Sequence, residues 1–172
     1  MLYSYKSQYP TELPFRIRLS DGSTRTDPTT FTPEDILDAG YIEVQDPPAI
    51  NEYQSLSWDG IQWIVRDWNQ QEIDDYNLKQ KNNLINYFVS ETQKRLDNFA
   101  KTRNYDGILS ACTYASDTNV KFSTEGQYCV EARSSTWSTL YQILNEVEAG
   151  TRPIPTLFSD IENDLPVLQW PN

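Results

Sequence analysis

The chain has 172 residues, which suits one domain or two small ones, and its five Trp and eleven Tyr supply apolar area for a core. Fourteen Lys and Arg against twenty-five Asp and Glu give a net charge of −11. That charge argues against nucleic acid or an anionic membrane as partner, because phosphate groups bind cationic surfaces. No stretch approaches the roughly 20 apolar residues of a membrane span. The opening MLYSYKSQYP lacks the regions of a signal peptide, so we expect synthesis in a cytosol.

Residues 1–68 are predicted to be rich in β-structure, beginning with a hairpin around Asp21-Gly22, a common two-residue turn signal. The strictly alternating strand before this turn would then pair Ile17 with Thr26. That register gathers three arginines on one face: Arg16, Arg18 and Arg25. They form either an internal salt-bridge network or solvated face, or a docking patch for an acidic neighbour.

A short helix and a strand are predicted after this hairpin. Thr32 suits the N-cap, Pro33 the first turn and Gly40 the end of the helix. The strand would follow at Tyr41–Val44.

A second hairpin is predicted around Asp59-Gly60, with Trp58 opposite Ile61 across a two-residue turn. The expected apolar face is Leu56, Trp58, Ile61, Trp63 and Val65. A slip of one residue would scatter this face, so the pattern encodes the register. Trp58 and Trp63 belong either to a core or to a partner-binding surface. An exposed aromatic platform could also bind sugar.

Residues Gln70 to Lys101 contain no Pro or Gly and predict one long helix, with Leu84 and Phe88 at helical spacing. This helix would connect the two halves of the chain or pack against copies of itself. A clean heptad is absent because Gln80 interrupts the apolar seam. Leu84 and Phe88, on the apolar side of this helix, are candidates for contact with a partner.

A short helix around Ile108–Ala115 and a last long helix starting near Thr124 follow. The last helix carries an apolar stripe: Trp137, Leu140, Tyr141, Leu144 and Val147. Trp137 and Tyr141 mark either a core face or a partner-binding groove. Gly150 suits the end of this helix. Ser159 and Glu162 predict a capping box for one more short helix.

No pattern indicates catalysis. Histidine is absent, which removes the commonest general base and metal ligand, and no Gly-rich phosphate loop or G-x-S-x-G elbow is present. Acidic clusters fall near helix starts, where carboxylates are favourable. Cys112 and Cys129 are either reduced thiols or a disulfide, and two thiols cannot complete a zinc site. We expect no enzyme, no cofactor and no metal site.

Three strings in the C-terminal part carry a resemblance: RLDNFAKTRNYDGILSACTYASD, WSTLYQILNEVEAGTRPIP and DIENDLPVLQWP. Together they cover about residues 95–171 and resemble a C-terminal module of tail-fibre assembly and tail-associated proteins of tailed bacteriophages. The W-x-G-x-x-W hairpin is similar to the N-terminal part of tail-fibre assembly chaperones. The resemblance carries no catalytic residues.

The expected architecture is α+β, with a β-rich N-terminal domain (1–68), a connecting helix (69–101) and a helical C-terminal module (102–172). The resemblance implies a structural protein of the virion tail, acting through protein contacts in tail-fibre attachment or assembly. Its partners would be the tail fibre or other tail and baseplate proteins, with a possible homo-oligomer through the 70–101 helix. The alternatives are a transient assembly chaperone that leaves the virion and a carbohydrate-binding module at the fibre tip.

Overall fold

The computed structural model describes residues 1–171 and confirms the α+β class. The strands are β1 Leu2–Tyr5, β2 Arg16–Arg18, β3 Thr24–Thr26, β4 Tyr41–Val44, β5 Gln54–Trp58 and β6 Trp63–Asp67. The helices are α1 Pro33–Asp38, α2 Gln70–Lys101, α3 Ile108–Cys112, α4 Val120–Glu148 and α5 Ser159–Glu162. Two 3-10 turns lie at Pro28–Thr30 and Thr113–Ser116. Residue 172, the last of the predicted C-terminal module, lies outside the described residues.

The chain forms two compact units, and the division lies inside α2. Unit 1 is Met1–Asp75 and unit 2 begins at Tyr76. The division therefore falls a few residues after the predicted end of the β-rich domain. The first turns of α2 belong with the strands, and the rest of α2 belongs with the other long helix.

Unit 1 holds three separate two-stranded antiparallel sheets, β1–β4, β2–β3 and β5–β6. Strand β1 was not predicted from the sequence. The helix α1 follows its prediction, because Thr32 and Asp35 each accept a hydrogen bond from the other's backbone N–H, at 3.1 and 3.3 Å. The core of this unit is small: Ile17, Leu19 and Ala39, with Phe31 and Tyr41 packed against them.

The predicted register of the first hairpin is wrong by one residue. Leu19 N–H donates to the Ser23 carbonyl at 2.9 Å, and Gly22 N–H donates to the Leu19 carbonyl at 3.0 Å. The loop therefore has three residues and ends at Gly22, whose φ of 87° is the left-handed conformation such a loop needs. As a result Ile17 lies opposite Arg25.

The predicted register of the second hairpin is wrong by two residues. The turn has four residues, because Asp59 Oδ1 accepts from the N–H groups of Ile61 and Gln62, both at 2.8 Å. Trp58 therefore lies opposite Trp63. Side chains alternate with a period of two along a strand, so a shift of two leaves each strand residue on its predicted face.

The long helix α2 has the predicted bounds, and its start is fixed by capping. Asn69 Oδ1 accepts from Glu72 N–H at 3.0 Å, and Glu72 Oε2 accepts from Asn69 N–H at 2.8 Å. Hydrogen bonds from Arg66 and from the Asn69 backbone lower the pKa of Glu72 to about 2. Residues 77–83 of this helix are all exposed.

The start of α4 differs from the prediction. Asn119 Oδ1 accepts from Lys121 N–H at 3.0 Å and caps the helix five residues before Thr124. Inside the helix, Thr124 Oγ1 instead donates to the Val120 carbonyl at 2.8 Å. Gly150, with φ of 71°, follows the end of the helix as predicted.

The short helix α5 is present, but the predicted Ser159 and Glu162 capping box does not form. Phe158 is the N-cap residue and gives no side-chain cap. Asp160 Oδ2 instead accepts from the N–H groups of Thr156 and Leu157 at 2.9 and 3.0 Å.

Unit 2 contains two clusters of buried side chains. The first is Phe88, Leu140, Ile143, Ile161 and Leu165. The second is Leu96, Ala100, Ile108, Ala111 and Cys129. Helices α2 and α4 contribute to both clusters, and Trp137 packs against both.

Candidate partner-binding surfaces

The three predicted arginines do not share one face of the first hairpin. Arg25 lies opposite Ile17 and therefore on the core-facing side of the strand pair. Its Nε lies 3.3 Å from Asp35 Oδ1. Arg16 and Arg18 are exposed on the other side of the strand pair. The one-residue shift of register thus divides the expected docking patch.

The tryptophan face of the second hairpin is present without Ile61. The ring centroids of Trp58 and Trp63 are 5.3 Å apart in an edge-to-face arrangement, and both side chains are half-buried. Leu56 and Val65 form the neighbouring pair on this face. Ile61 lies in the turn, where it is 84% exposed.

Backbone carbonyl groups fix the two indole rings. Trp58 Nε1 donates to the Ser7 carbonyl at 3.2 Å, and Trp63 Nε1 donates to the Gln45 carbonyl at 2.8 Å. Tyr9 packs edge-on against Trp63, with centroids 5.2 Å apart. Since both indole N–H groups are occupied, the rings offer a ligand their aromatic surfaces and edges.

An open cavity of about 650 Å³ lies beside the two tryptophans in unit 1. Its polar lining includes Glu43, Gln45, Asp46 and Gln62. Within the described residues, the side chains of Glu43, Gln45 and Asp46 form no hydrogen bond or ion pair with the rest of the chain, whereas the Gln62 side chain hydrogen-bonds to Asp59. No lysine or arginine among the described residues lines the cavity. The cavity thus combines aromatic rings with uncompensated negative charge.

A second cavity, a mainly apolar groove of about 580 Å³, lies in unit 2 between α2 and α4. Leu84 and Phe88 line it from α2, and Val147 lines it from α4. Phe88 is fully buried in the core, whereas Leu84 is half-buried at its edge. An ion pair between Lys81 Nζ and Glu148 Oε1, 2.6 Å apart, lies at the rim. Leu84 is the better placed of the two predicted residues for contact with a partner.

The predicted stripe on α4 divides between core and surface. Trp137 is half-buried between the two core clusters, whereas Tyr141 is 55% exposed. The rings of Trp137 and Tyr141 are 6.0 Å apart. The buried face of the helix is centred on Thr136, Leu140 and Ile143, about one residue from the predicted centre. Tyr141 is therefore accessible, and Trp137 mainly fills the interior.

A buried carboxylate on α4 is not among the residues predicted from the sequence. Glu125 is 3% exposed and accepts hydrogen bonds from Tyr105 Oη, at 2.8 Å, and from Arg103. Burial alone would raise the pKa of Glu125, but these hydrogen bonds outweigh it and lower the pKa below its ordinary value. Burial and the bond to Glu125 raise the pKa of Tyr105 to about 12. The spacing of these residues along the chain gave no sign of this cluster.

The C-terminal segment, residues 166–171, is held against the same part of unit 2. Trp170 stacks on Phe99 with ring centroids 4.3 Å apart, and its Nε1 donates to Thr102 Oγ1 at 2.8 Å. The Arg103 guanidinium lies 5.0 Å from the centre of the Trp170 ring. The Leu-x-Trp-Pro ending of the sequence is therefore an internal packing element.

Cys112 and Cys129 are free thiols in the structure. Burial raises the pKa of both, that of Cys129 to about 12, so both are protonated at neutral pH. The described residues contain no group of three or more acidic or cysteine side chains placed to hold a metal ion. None of the helices in residues 1–171 has the length and apolar character needed to cross a membrane.

Comparison of the chain with protein families, with curated proteins and with solved structures found no match.

Proposed function

We propose that the chain is a tail-associated protein of a tailed bacteriophage that acts through protein–protein contacts in tail-fibre attachment or assembly. The resemblance of residues 95–171 supports the setting. The excess of exposed over buried apolar side chains in unit 1 supports the mode of action, and it is the observation that carries the proposal.

Unit 1 buries little of its apolar side-chain surface. Three hydrophobic residues of this unit are buried, while ten large hydrophobic side chains are exposed. The exposed ones are Met1, Tyr9, Phe15, Leu37, Ile42, Ile50, Tyr53, Ile61, Ile64 and Val65. Among the described residues of unit 2, by contrast, buried hydrophobic residues and exposed large ones are equal in number. Unit 1 therefore has the smaller core and depends more on a partner that covers its apolar side chains.

The β5–β6 hairpin is the part of unit 1 that most needs a partner. A two-stranded hairpin alone is marginally stable in water, and no residue of β5 or β6 is fully buried. A partner that covers the Trp58 and Trp63 face would supply the missing apolar contacts. Self-association through α2 stays a separate prediction, and the Leu84 groove is the apolar surface available for it.

We further propose that the chain is made in the host cytoplasm and retained at the tail. Quantitative mass spectrometry of purified phage particles tests the proposal. We expect the chain in near-stoichiometric amounts with a tail or fibre protein. Cross-links should join unit 1, rather than unit 2, to that protein. Absence from particles together with co-purification on fibre precursors would favour the transient chaperone instead. Absence from both would reject the proposal.

A further inference from the structure

We infer that the cavity beside Trp58 and Trp63 binds an arginine side chain presented by a basic segment of the partner. The identity of the partner rests on the proposed function, and the chemistry of the ligand rests on the lining of the cavity. The two tryptophans supply aromatic surface, and Glu43 and Asp46 supply negative charge.

The charge distribution favours a cationic ligand. Residues 1–75 contain five Lys and Arg and fourteen Asp and Glu, a net charge of −9 out of the −11 of the whole chain. Glu43 and Asp46 form no ion pair within the described residues. A neutral ligand would leave both carboxylates uncompensated, whereas a cation would neutralise them.

The aromatic rings favour a guanidinium over an ammonium group. Both indole N–H groups already donate to backbone carbonyls, so the rings contribute cation–π and stacking contacts. A guanidinium is planar, stacks on an indole and can donate to a carboxylate at the same time. The side-chain amides of Gln45 and Gln62 provide further acceptors at the cavity wall.

The surroundings fix the cavity before a ligand binds. The chain at Ser7 has a φ of 63°, and a Cβ added to Gly60 would lie 3.1 Å from the Ser7 Cβ. The Ser7 carbonyl, just after β1, holds the Trp58 indole, and the Gln45 carbonyl, just after β4, holds the Trp63 indole. A preformed site loses less side-chain freedom on binding, which favours affinity.

The test adds the peptide acetyl-Gly-Arg-Gly-amide to the full-length chain and monitors the tryptophan indole N–H signals by NMR. We expect the signals of Trp58 and Trp63 to shift with the peptide, while those of Trp137 and Trp170 in unit 2 stay in place. The same peptide with citrulline, which has the shape of arginine without its charge, should cause no comparable shift. Equal shifts with the citrulline peptide would overturn the inference.

Matched double variants separate a local site from general attraction. E43Q/D46N and D74N/D75N change the net charge equally, but only the first removes charge from the cavity. We expect E43Q/D46N to weaken binding about ten-fold, whereas D74N/D75N weakens it less than about two-fold. An equal loss in both variants would overturn the inference. Shifts of Trp58 and Trp63 with N-acetylglucosamine that survive E43Q/D46N would overturn it in favour of a carbohydrate site.

The two proposals can fail separately. If the chain is present in particles but does not bind the arginine peptide, the inference is wrong and the proposed function stands. If the chain binds the peptide but is absent from particles and fibre precursors, the proposed function is wrong.

Discussion

Unit 1, with 75 residues, and unit 2, with 97, bury their apolar side chains very differently. The described residues of unit 2 include eleven buried hydrophobic ones and eleven exposed large ones, whereas unit 1 has three buried and ten exposed. Unit 1 also carries −9 of the net charge of −11. A unit whose own core is small depends more on what covers its surface. The difference gives unit 2 the larger core of its own, and it supports the proposal that unit 1 is the part that binds a partner.

The same contrast appears in how local structure is supported. In unit 2, helix α4 and the part of α2 that begins at Tyr76 share two core clusters, and Trp170 anchors the C-terminal segment to them. The three sheets of unit 1 each have two strands and do not join.

Phe88→Ala should have the largest effect, because it empties a fully buried site between α2 and α4. We expect unit 2 to lose about 3–5 kcal/mol of its free energy of unfolding. Leu78→Ala is the control, since Leu78 is 56% exposed on the same helix and should cost less than about 0.5 kcal/mol. Urea unfolding followed by fluorescence measures both. Similar losses for the two variants would contradict the assigned core.

Gly126→Ala should destabilise unit 2 by about 1–3 kcal/mol through overpacking. A Cβ at this position would lie 2.4 Å from the backbone N of Ala115, which cannot move aside as a side-chain end can. The control is Ser134→Ala at an exposed position of α4, where the change should stay within about 0.5 kcal/mol. A thermal unfolding series compares them. A neutral Gly126→Ala would show that α4 and the 3-10 turn at Thr113–Ser116 are not closely packed.

Glu125→Gln should cost about 1–2 kcal/mol at neutral pH, because it weakens hydrogen bonds to a buried charge. The folded state lowers the pKa of Glu125, so the contribution is present above the ordinary value of 4.5 and is lost as pH falls through the folded pKa. The stability difference between wild type and variant should therefore shrink from pH 6 to pH 3.

The control for this pH series is Glu131→Gln, which alters an exposed carboxylate on the same helix. The difference in folding stability between Glu131→Gln and wild type should be small from pH 6 to pH 3. The account of the Glu125 cluster fails if the Glu125→Gln difference is constant across the pH range.

Arg25→Gln should have the smallest effect, at most about 1 kcal/mol, because the Arg25 side chain in its ion pair with Asp35 is 48% exposed to solvent. Arg16→Gln is the matched control, since Arg16 has no ion pair among the described residues. Chemical denaturation at low salt compares the two. A large loss of folding stability in Arg16→Gln, with none in Arg25→Gln, would indicate that the predicted arginine patch has a structural role.

The two hairpins show where sequence patterns are informative and where they are not. Both were predicted with two-residue turns, but Gly22 ends a three-residue loop and the Asp59 carboxylate organises a four-residue turn. A shift of one residue moved Arg25 to the other face, whereas a shift of two left Trp58 and Trp63 together. Turn length depends on loop hydrogen bonds that a dipeptide signal does not specify.

Features set by local sequence were predictable, and features set by distant contacts were not. The bounds of α2 follow from a long stretch without Pro or Gly and from the strand before it. Glu125 gained its role only when Arg103 and Tyr105 were brought to it by folding. The polar wall of the tryptophan cavity comes from β4 and the β5–β6 turn, which lie apart in the sequence.

Hydrogen exchange of the free full-length chain tests the central claim most directly, because it reports the stability of each segment separately. The account predicts that amides in residues 129–147 of α4 exchange slowly, and that those in residues 54–67 of the β5–β6 hairpin exchange much faster. Addition of the tail or fibre partner should then slow exchange in residues 54–67 selectively. Equal protection of the two segments in the free chain, with no change on adding the partner, would contradict the division into a self-supporting unit and a recognition unit.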